Sequence, residues 1–152
     1  MNRIQHYATG ELENHIRSIY ARLEPLAKKD GVYRPLDDCF DTGTPNGQDG
    51  SFCYSDDEGY HFAVNERGSL RTNLTTKSLT EITFQVLWSD VLWMAVEYEH
   101  AHRISGQDFR RQMFQKMMYY WGVLGPEYAE QAKRKIDDTL AKSPFNDCLV
   151  NG

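Results

Sequence analysis

The sequence predicts an α+β fold: an N-terminal helix, a small antiparallel sheet (a hairpin plus a candidate third strand), and a C-terminal half of three helices. Two observations carry that prediction. Near residue 78 the chain changes from short alternating runs and turns to almost continuous helical periodicity. Before that change, the turn-like Asp56-Asp57-Glu58-Gly59 separates two short strand-like runs, the pattern of a β-hairpin. At 152 residues the chain has the length of one ordinary domain, so residues 1–152 are expected to form a single one.

The first helix is expected to start after Thr9, with Glu11 and Glu13 in its first turn, where carboxylates favour the positive end of the helix dipole. Leu12, Ile16, Ile19, Tyr20 and Leu23 then share one face. Pro25 lacks an amide hydrogen and clashes with the preceding turn, so it kinks or ends the helix near Arg22–Glu24. The irregular stretch Tyr33–Gly50, rich in Pro, Gly and Asp, is long for a compact domain, and loops of that length are often functional. Ser51–Tyr54 and Tyr60–Val64 read as the hairpin strands. Ser69–Thr75 reads as a candidate third strand, with Leu70, Thr72 and Leu74 on one face.

Ser78-Leu79-Thr80-Glu81 is a capping box ahead of an apolar run. The helix it opens is expected to reach about Arg103. Phe84, Leu87, Val91, Met94, Tyr98 and Ala101 form one stripe, and Val86, Trp88, Leu92, Trp93 and Ala95 occupy its other faces. A helix apolar nearly all round is expected to be buried. Ser105-Gly106-Gln107-Asp108 is a weaker box opening a helix whose stripe is Phe109, Met113, Met117, Tyr120 and Trp121. Gly125-Pro126 ends it and begins the last helix, which runs to about Lys142 with Tyr128, Ala132, Ile136 and Leu140 inward.

Composition excludes several classes. The longest apolar run, Val91–Val96, has six residues where a membrane span needs about 20. No secretory leader is visible, and three widely spaced cysteines suit a reducing cytosol, so a cytoplasmic location is expected. The net charge of −5 argues against phosphate-driven nucleic-acid binding. The acidity is concentrated: from Asp37 to Glu66 there are eight carboxylates and no Lys or Arg. Such a field attracts a basic partner, or serves only as a solvated surface.

The residues offer no convincing catalytic constellation. Glu97, Glu99, His100 and His102 form the densest polar cluster, but two histidines two apart point to different sides of a helix. A Glu99–Arg103 pair at i, i+4 is the simpler reading. Asp90 and Glu97 share a helix face about 10 Å apart along the axis, which suits a core ion network with Arg103, Arg110 or Arg111 better than paired catalysis. Asp41–Gly47 departs from the calcium-loop pattern at its third and fifth positions. No metal or cofactor is expected.

Three segments together resemble the immunity protein 63 family of bacterial polymorphic-toxin systems: Gly59-Tyr60-His61-Phe62-Ala63-Val64-Asn65-Glu66-Arg67-Gly68; Ala95–Arg103 followed by Asp108–Phe114; and Ser143-Pro144-Phe145-Asn146-Asp147. The resemblance spans roughly residues 50–147 and leaves 1–36 without a signature. It implies a small cytoplasmic protein, not an enzyme, that binds and neutralises a cognate toxin domain. It maps the family's polar positions to Glu66, Arg67, Glu97, Arg103, Asp108 and Arg110, expected chiefly as a structural network.

On that reading the stretch Asp37–Glu58 mimics an acidic substrate and covers a basic toxin cleft. Asp38, Asp41, Asp49, Tyr54, Asp56 and Asp57 are the expected partner-binding residues. The protein would be a monomer or weak homodimer, with no nucleic-acid or membrane partner. The alternatives are a small hydrolase that reverses toxin damage with Glu97, Glu99, His100 and His102, or a non-catalytic adaptor.

Overall fold

The computed structural model describes residues 6–40 and 49–147. Five α-helices and one three-stranded sheet follow in order: α1 (Thr9–Tyr20), α2 (Glu24–Lys29), β1 (Gly50–Asp56), β2 (Gly59–Glu66), β3 (Ser69–Thr76), α3 (Leu79–Ala101), α4 (Phe109–Leu124) and α5 (Pro126–Lys142). The expected α+β class is therefore what the chain adopts. Among the described residues, no helix is long and apolar enough to cross a membrane. Two compact units emerge, one from Met1–Ile19 with Leu36–Leu87 and one from Tyr20–Pro35 with Trp88–Gly152.

The first unit holds the sheet, in the order β1-β2-β3 with both pairs antiparallel. Two tight turns set its register. Asp56 pairs with Gly59 across Asp57-Glu58, which places Tyr54 opposite His61 and Cys53 opposite Phe62. The β2–β3 turn is Arg67-Gly68, with φ of 52° and 75°. Two central residues at positive φ match the twist of the flanking strands, and Gly68 meets that demand without strain.

The third strand forms as expected, but with a correction. Val64 pairs with Thr72 while Asn65 pairs with Leu70, so Arg71 is an extra residue in β3. The bulge turns Leu70 to the face opposite Thr72 and Leu74 and leaves it exposed. On its outer edge β1 is covered. The Cys53 amide donates to the Cys39 carbonyl at 2.7 Å, and the Ser55 amide donates to the Thr9 hydroxyl at 3.0 Å. Ser55 Oγ also donates to the Tyr7 carbonyl, and the Tyr7 amide donates to the Tyr60 hydroxyl. These bonds satisfy edge groups that would otherwise invite another strand.

Helix α3 starts at the capping box: the Glu81 amide donates to Ser78 Oγ at 3.1 Å. The reciprocal half is altered, because the Glu81 carboxylate accepts from the Thr76 hydroxyl instead of the Ser78 amide. Ile82, Phe84, Val86, Leu87, Val91, Met94 and Ala95 are buried. The expectation of burial all round fails at Trp93, which is 52 % exposed, and at Ala101.

In the second unit the first helical stretch breaks as Pro25 requires. A 3-10 turn at Ala21–Leu23 follows α1, and α2 restarts with Pro25 in its first turn. Arg22 Nη1 donates to the Leu124 carbonyl at the end of α4. The aspartate that ends α2, Asp30, accepts from Lys116 Nζ at 2.8 Å and from the Tyr120 hydroxyl at 2.7 Å. Lys116 also lies 4.0 Å from the Tyr98 ring centre, so one ammonium joins an ion pair to a cation–π contact. Burial and the Asp30 carboxylate push the Tyr120 phenol well above its ordinary pKa.

Helix α4 begins three residues later than its capping pattern suggests. Asp108, not Ser105, is the N-cap, accepting from the Arg110 amide at 3.0 Å. Ser105 and Gly106 form the preceding turn, with Gly106 at φ 80°. Met113, Met117, Tyr120 and Trp121 are buried as expected, but Phe109 is 47 % exposed because it occupies the first residue of the helix. In α5, Tyr128, Ala132 and Ile136 are buried and Leu140 is half-buried.

Candidate functional site

The β1–β2 turn is the most concentrated acidic feature of the first unit. Asp56, Asp57 and Glu58 are consecutive and exposed, and among the described residues no Lys or Arg pairs with any of them. The turn is built by Asp56, whose Oδ1 accepts from the Glu58 amide at 2.9 Å. The same oxygen lies 2.6 Å from His61 Nε2. A carboxylate only accepts, so Nε2 carries the proton, and in the neutral ring Nδ1 accepts from the Thr75 hydroxyl at 3.0 Å. The hydrogen bond from His61 is the main cause holding the Asp56 carboxyl below its ordinary pKa; the Glu58 and Gly59 amides add to it.

Tyr54 stacks on His61 with ring centres 4.6 Å apart. Its phenol pKa is raised by burial and by the nearby Asp56 and Glu58 carboxylates. Tyr54, His61 and Thr75 thus form one row across the sheet, ending beside the acidic turn. Asp56, Glu58 and His61 also present three metal-ligand atoms within 4.8 Å of one another. Both nitrogens of His61 already have protein partners, Asp56 and Thr75, so the imidazole is satisfied by hydrogen bonds within the sheet.

The remaining acidic positions lie elsewhere in the same unit. Asp38 and Asp49 are exposed and line a cleft with Phe40 and Phe52. Arg17 Nη2 approaches Asp38 at 4.0 Å, and its guanidinium lies over the Phe40 ring, so the Asp38 charge is partly offset. Asp49 and Asp56 stand at opposite ends of β1, roughly 23 Å apart along an extended strand. The structure therefore divides the acidic stretch in two: a cleft at the start of β1 and a purely acidic turn at its end. Asp41 lies outside the described residues.

The six positions expected as a polar network separate in the same way. Glu66 and Arg67 sit exposed at the β2–β3 turn, and Glu97 is exposed on α3; none of the three makes an ion pair among the described residues. Arg103 pairs with Glu99 at 2.8 Å. Only Asp108 and Arg110 meet, at 2.9 Å, and they form a hub. Asp108 also accepts from the Asn146 amide, while Arg110 donates to the Ser143 and Pro144 carbonyls. Arg111 pairs with Asp147, whose Oδ1 accepts from the Asp108 amide. Asp90 is buried and pairs with Arg34 at 3.6 Å.

The four residues of the candidate hydrolase do not converge. Glu97, Glu99 and His100 line one cleft with Trp93 and Phe109, whereas His102 stacks on Tyr98 and lines a different one. The sequence reading missed His61. The turn length would have found it, since a two-residue loop at Asp57-Glu58 forces Tyr54 opposite His61.

The family model described as Immunity protein 63 matches residues 56–138. The match includes the acidic turn, His61 and the Asp108–Arg110 hub, and it begins after Asp38, Asp49 and Tyr54. No curated protein and no solved structure matches the chain.

Proposed function

The chain belongs to the immunity protein 63 family, and from that membership we propose that it neutralises a cognate bacterial toxin by direct, tight binding in the cytoplasm, with no chemistry of its own. The acidic turn Asp56-Asp57-Glu58 is the observation that supports a location for the contact. It presents three exposed carboxylates without a compensating Lys or Arg among the described residues, at the end of the hairpin. A site of that kind steers onto a basic substrate cleft and accelerates encounter. Tyr54, half-buried and stacked on the buried His61, supplies an aromatic contact beside the charge, the residue type that anchors interfaces. The cleft with Asp38 and Asp49 extends the acidic surface to the other end of β1. Occlusion of the toxin's active site follows from a substrate-mimicking contact.

Charge reversal tests the location. Asp57 and Glu58 make no side-chain hydrogen bond or ion pair among the described residues, so replacing both with Lys leaves the Asp56–His61 bond intact. The double variant is expected to associate with the cognate toxin at least about tenfold more slowly at low salt, with little change in dissociation. Unchanged association and unchanged salt dependence would place the contact on another surface.

A further inference from the structure

The two described cysteines, Cys39 and Cys53, are fourteen positions apart in sequence and meet in the first unit. The Cys53 amide donates to the Cys39 carbonyl at 2.7 Å, which sets the two residues side by side. A direct backbone bond between two residues of adjacent extended segments sets their Cα atoms about 5–6 Å apart, inside the range a disulfide spans. Residues paired across adjacent extended segments present their side chains to the same face, and both of these side chains are buried. Cys53 is 0 % exposed on β1, and Cys39 is 6 % exposed in the irregular segment beside it.

We propose that Cys39 and Cys53 are a reversible disulfide pair, closed by thiol–disulfide exchange with a low-molecular-weight disulfide such as oxidised glutathione. Cys39 reacts first, because it retains some exposure and lies outside regular secondary structure. Its thiolate attacks one sulfur of the small disulfide, forming a mixed disulfide and releasing one small thiol. The Cys53 sulfur then attacks the Cys39 sulfur and releases the second small thiol. Two protein thiols are oxidised by two electrons, one small disulfide is reduced, and the two protons end on the two released thiols. The neighbouring Cys39 thiol, followed by burial, pushes the Cys53 thiol far above its ordinary pKa, so exchange requires local opening of the segment around Cys39.

The link would add a covalent tie between this segment and β1 to the backbone hydrogen bond already there. It would fix Asp38, the neighbour of Cys39, and close a fifteen-residue ring from Cys39 to Cys53. A ring of that size restricts the unfolded chain and stabilises the oxidised protein. This assignment is independent of toxin binding.

The test is the full-length native protein incubated with oxidised glutathione, quenched in acid, unfolded and alkylated, then weighed intact and mapped by proteolysis without reduction. The expected product has lost two hydrogens, carries a peptide joining Cys39 to Cys53, and is alkylated at Cys148 alone. Reduction should restore three alkylated thiols. Cys148→Ser should give the same link, and the oxidised form should unfold at higher urea than the reduced form. In Cys53→Ser, Cys39 should stop at the glutathione adduct. Three free thiols after unfolding, stable glutathione adducts at both positions in the unmutated protein, or a link through Cys148 would each overturn the proposal.

Discussion

His61 Nε2 lies 2.6 Å from Asp56 Oδ1, five residues back across the β1–β2 turn. The bond closes the hairpin end from the side-chain level while the backbone pair Asp56–Gly59 closes it from below. It also fixes which imidazole nitrogen carries the proton, and it holds one of three adjacent carboxylates ionised at the acidic turn.

Stability should therefore fall with acid. The Asp56 carboxyl is lowered by His61, Asp108 by Arg110, and Asp147 by Arg111. At Asp30, burial works to raise the pKa, and the bonds from Lys116 and Tyr120 outweigh it. All four folded-state values lie below the unfolded ones, so the unfolded chain binds more protons as pH drops. The stabilisation is complete above the unfolded carboxylate value of about 3.9 and disappears as pH falls through the lowered folded values. Urea midpoints measured from neutral pH downward should decline through that window. The Asp56→Asn variant should be less stable than the unmutated protein at neutral pH and converge with it in acid.

Two glycines in the sheet turns should differ in their tolerance of a methyl group. A Cβ on Gly59, at φ +139°, would stand 2.7 Å from the Thr76 carbonyl oxygen, part of the backbone of β3. Gly68, at φ +75°, faces open space. Gly59→Ala should cost about 2–4 kcal/mol, from strain plus a backbone clash, whereas Gly68→Ala should cost about 1 kcal/mol, from strain alone. Chemical denaturation of the two variants checks the order.

Asp108 is the N-cap of α4; its carboxylate accepts from the Asn146 amide and its own amide donates to Asp147 Oδ1, which ties the tail to the helix start. Asp108→Ala should destabilise by about 2–3 kcal/mol, through loss of the cap and of acceptors for Arg110 and the Asn146 amide. Asp108→Ser keeps a capping oxygen and should lose less. Urea unfolding of both variants separates the cap from the ion pair.

Local signals made much of this fold legible. Ser78 with Glu81 marked the start of α3, Pro25 the break after α1, and Gly125-Pro126 the boundary between α4 and α5. Each acts within a few residues, where backbone chemistry decides. The misreadings arose where a neighbour in space decides instead. The bulge at Arg71 reverses the face of Leu70, Phe109 fits the stripe of α4 yet stays exposed, and Trp93 stays exposed on a helix expected to be buried all round. Of the candidate site, the acidic turn was legible and its separation from the Asp38–Asp49 cleft was not, because that depends on β1 running between them. The pairs Asp30–Lys116, Arg34–Asp90 and Cys39–Cys53 join distant positions that no spacing rule connects.

The most direct measurement of the proposed inhibition is a titration of a cognate toxin's activity with this protein. Direct inhibition predicts activity that falls linearly and vanishes near one equivalent, with the two chains co-eluting as a complex. Protection at a small fraction of an equivalent, or the absence of any complex, would contradict it.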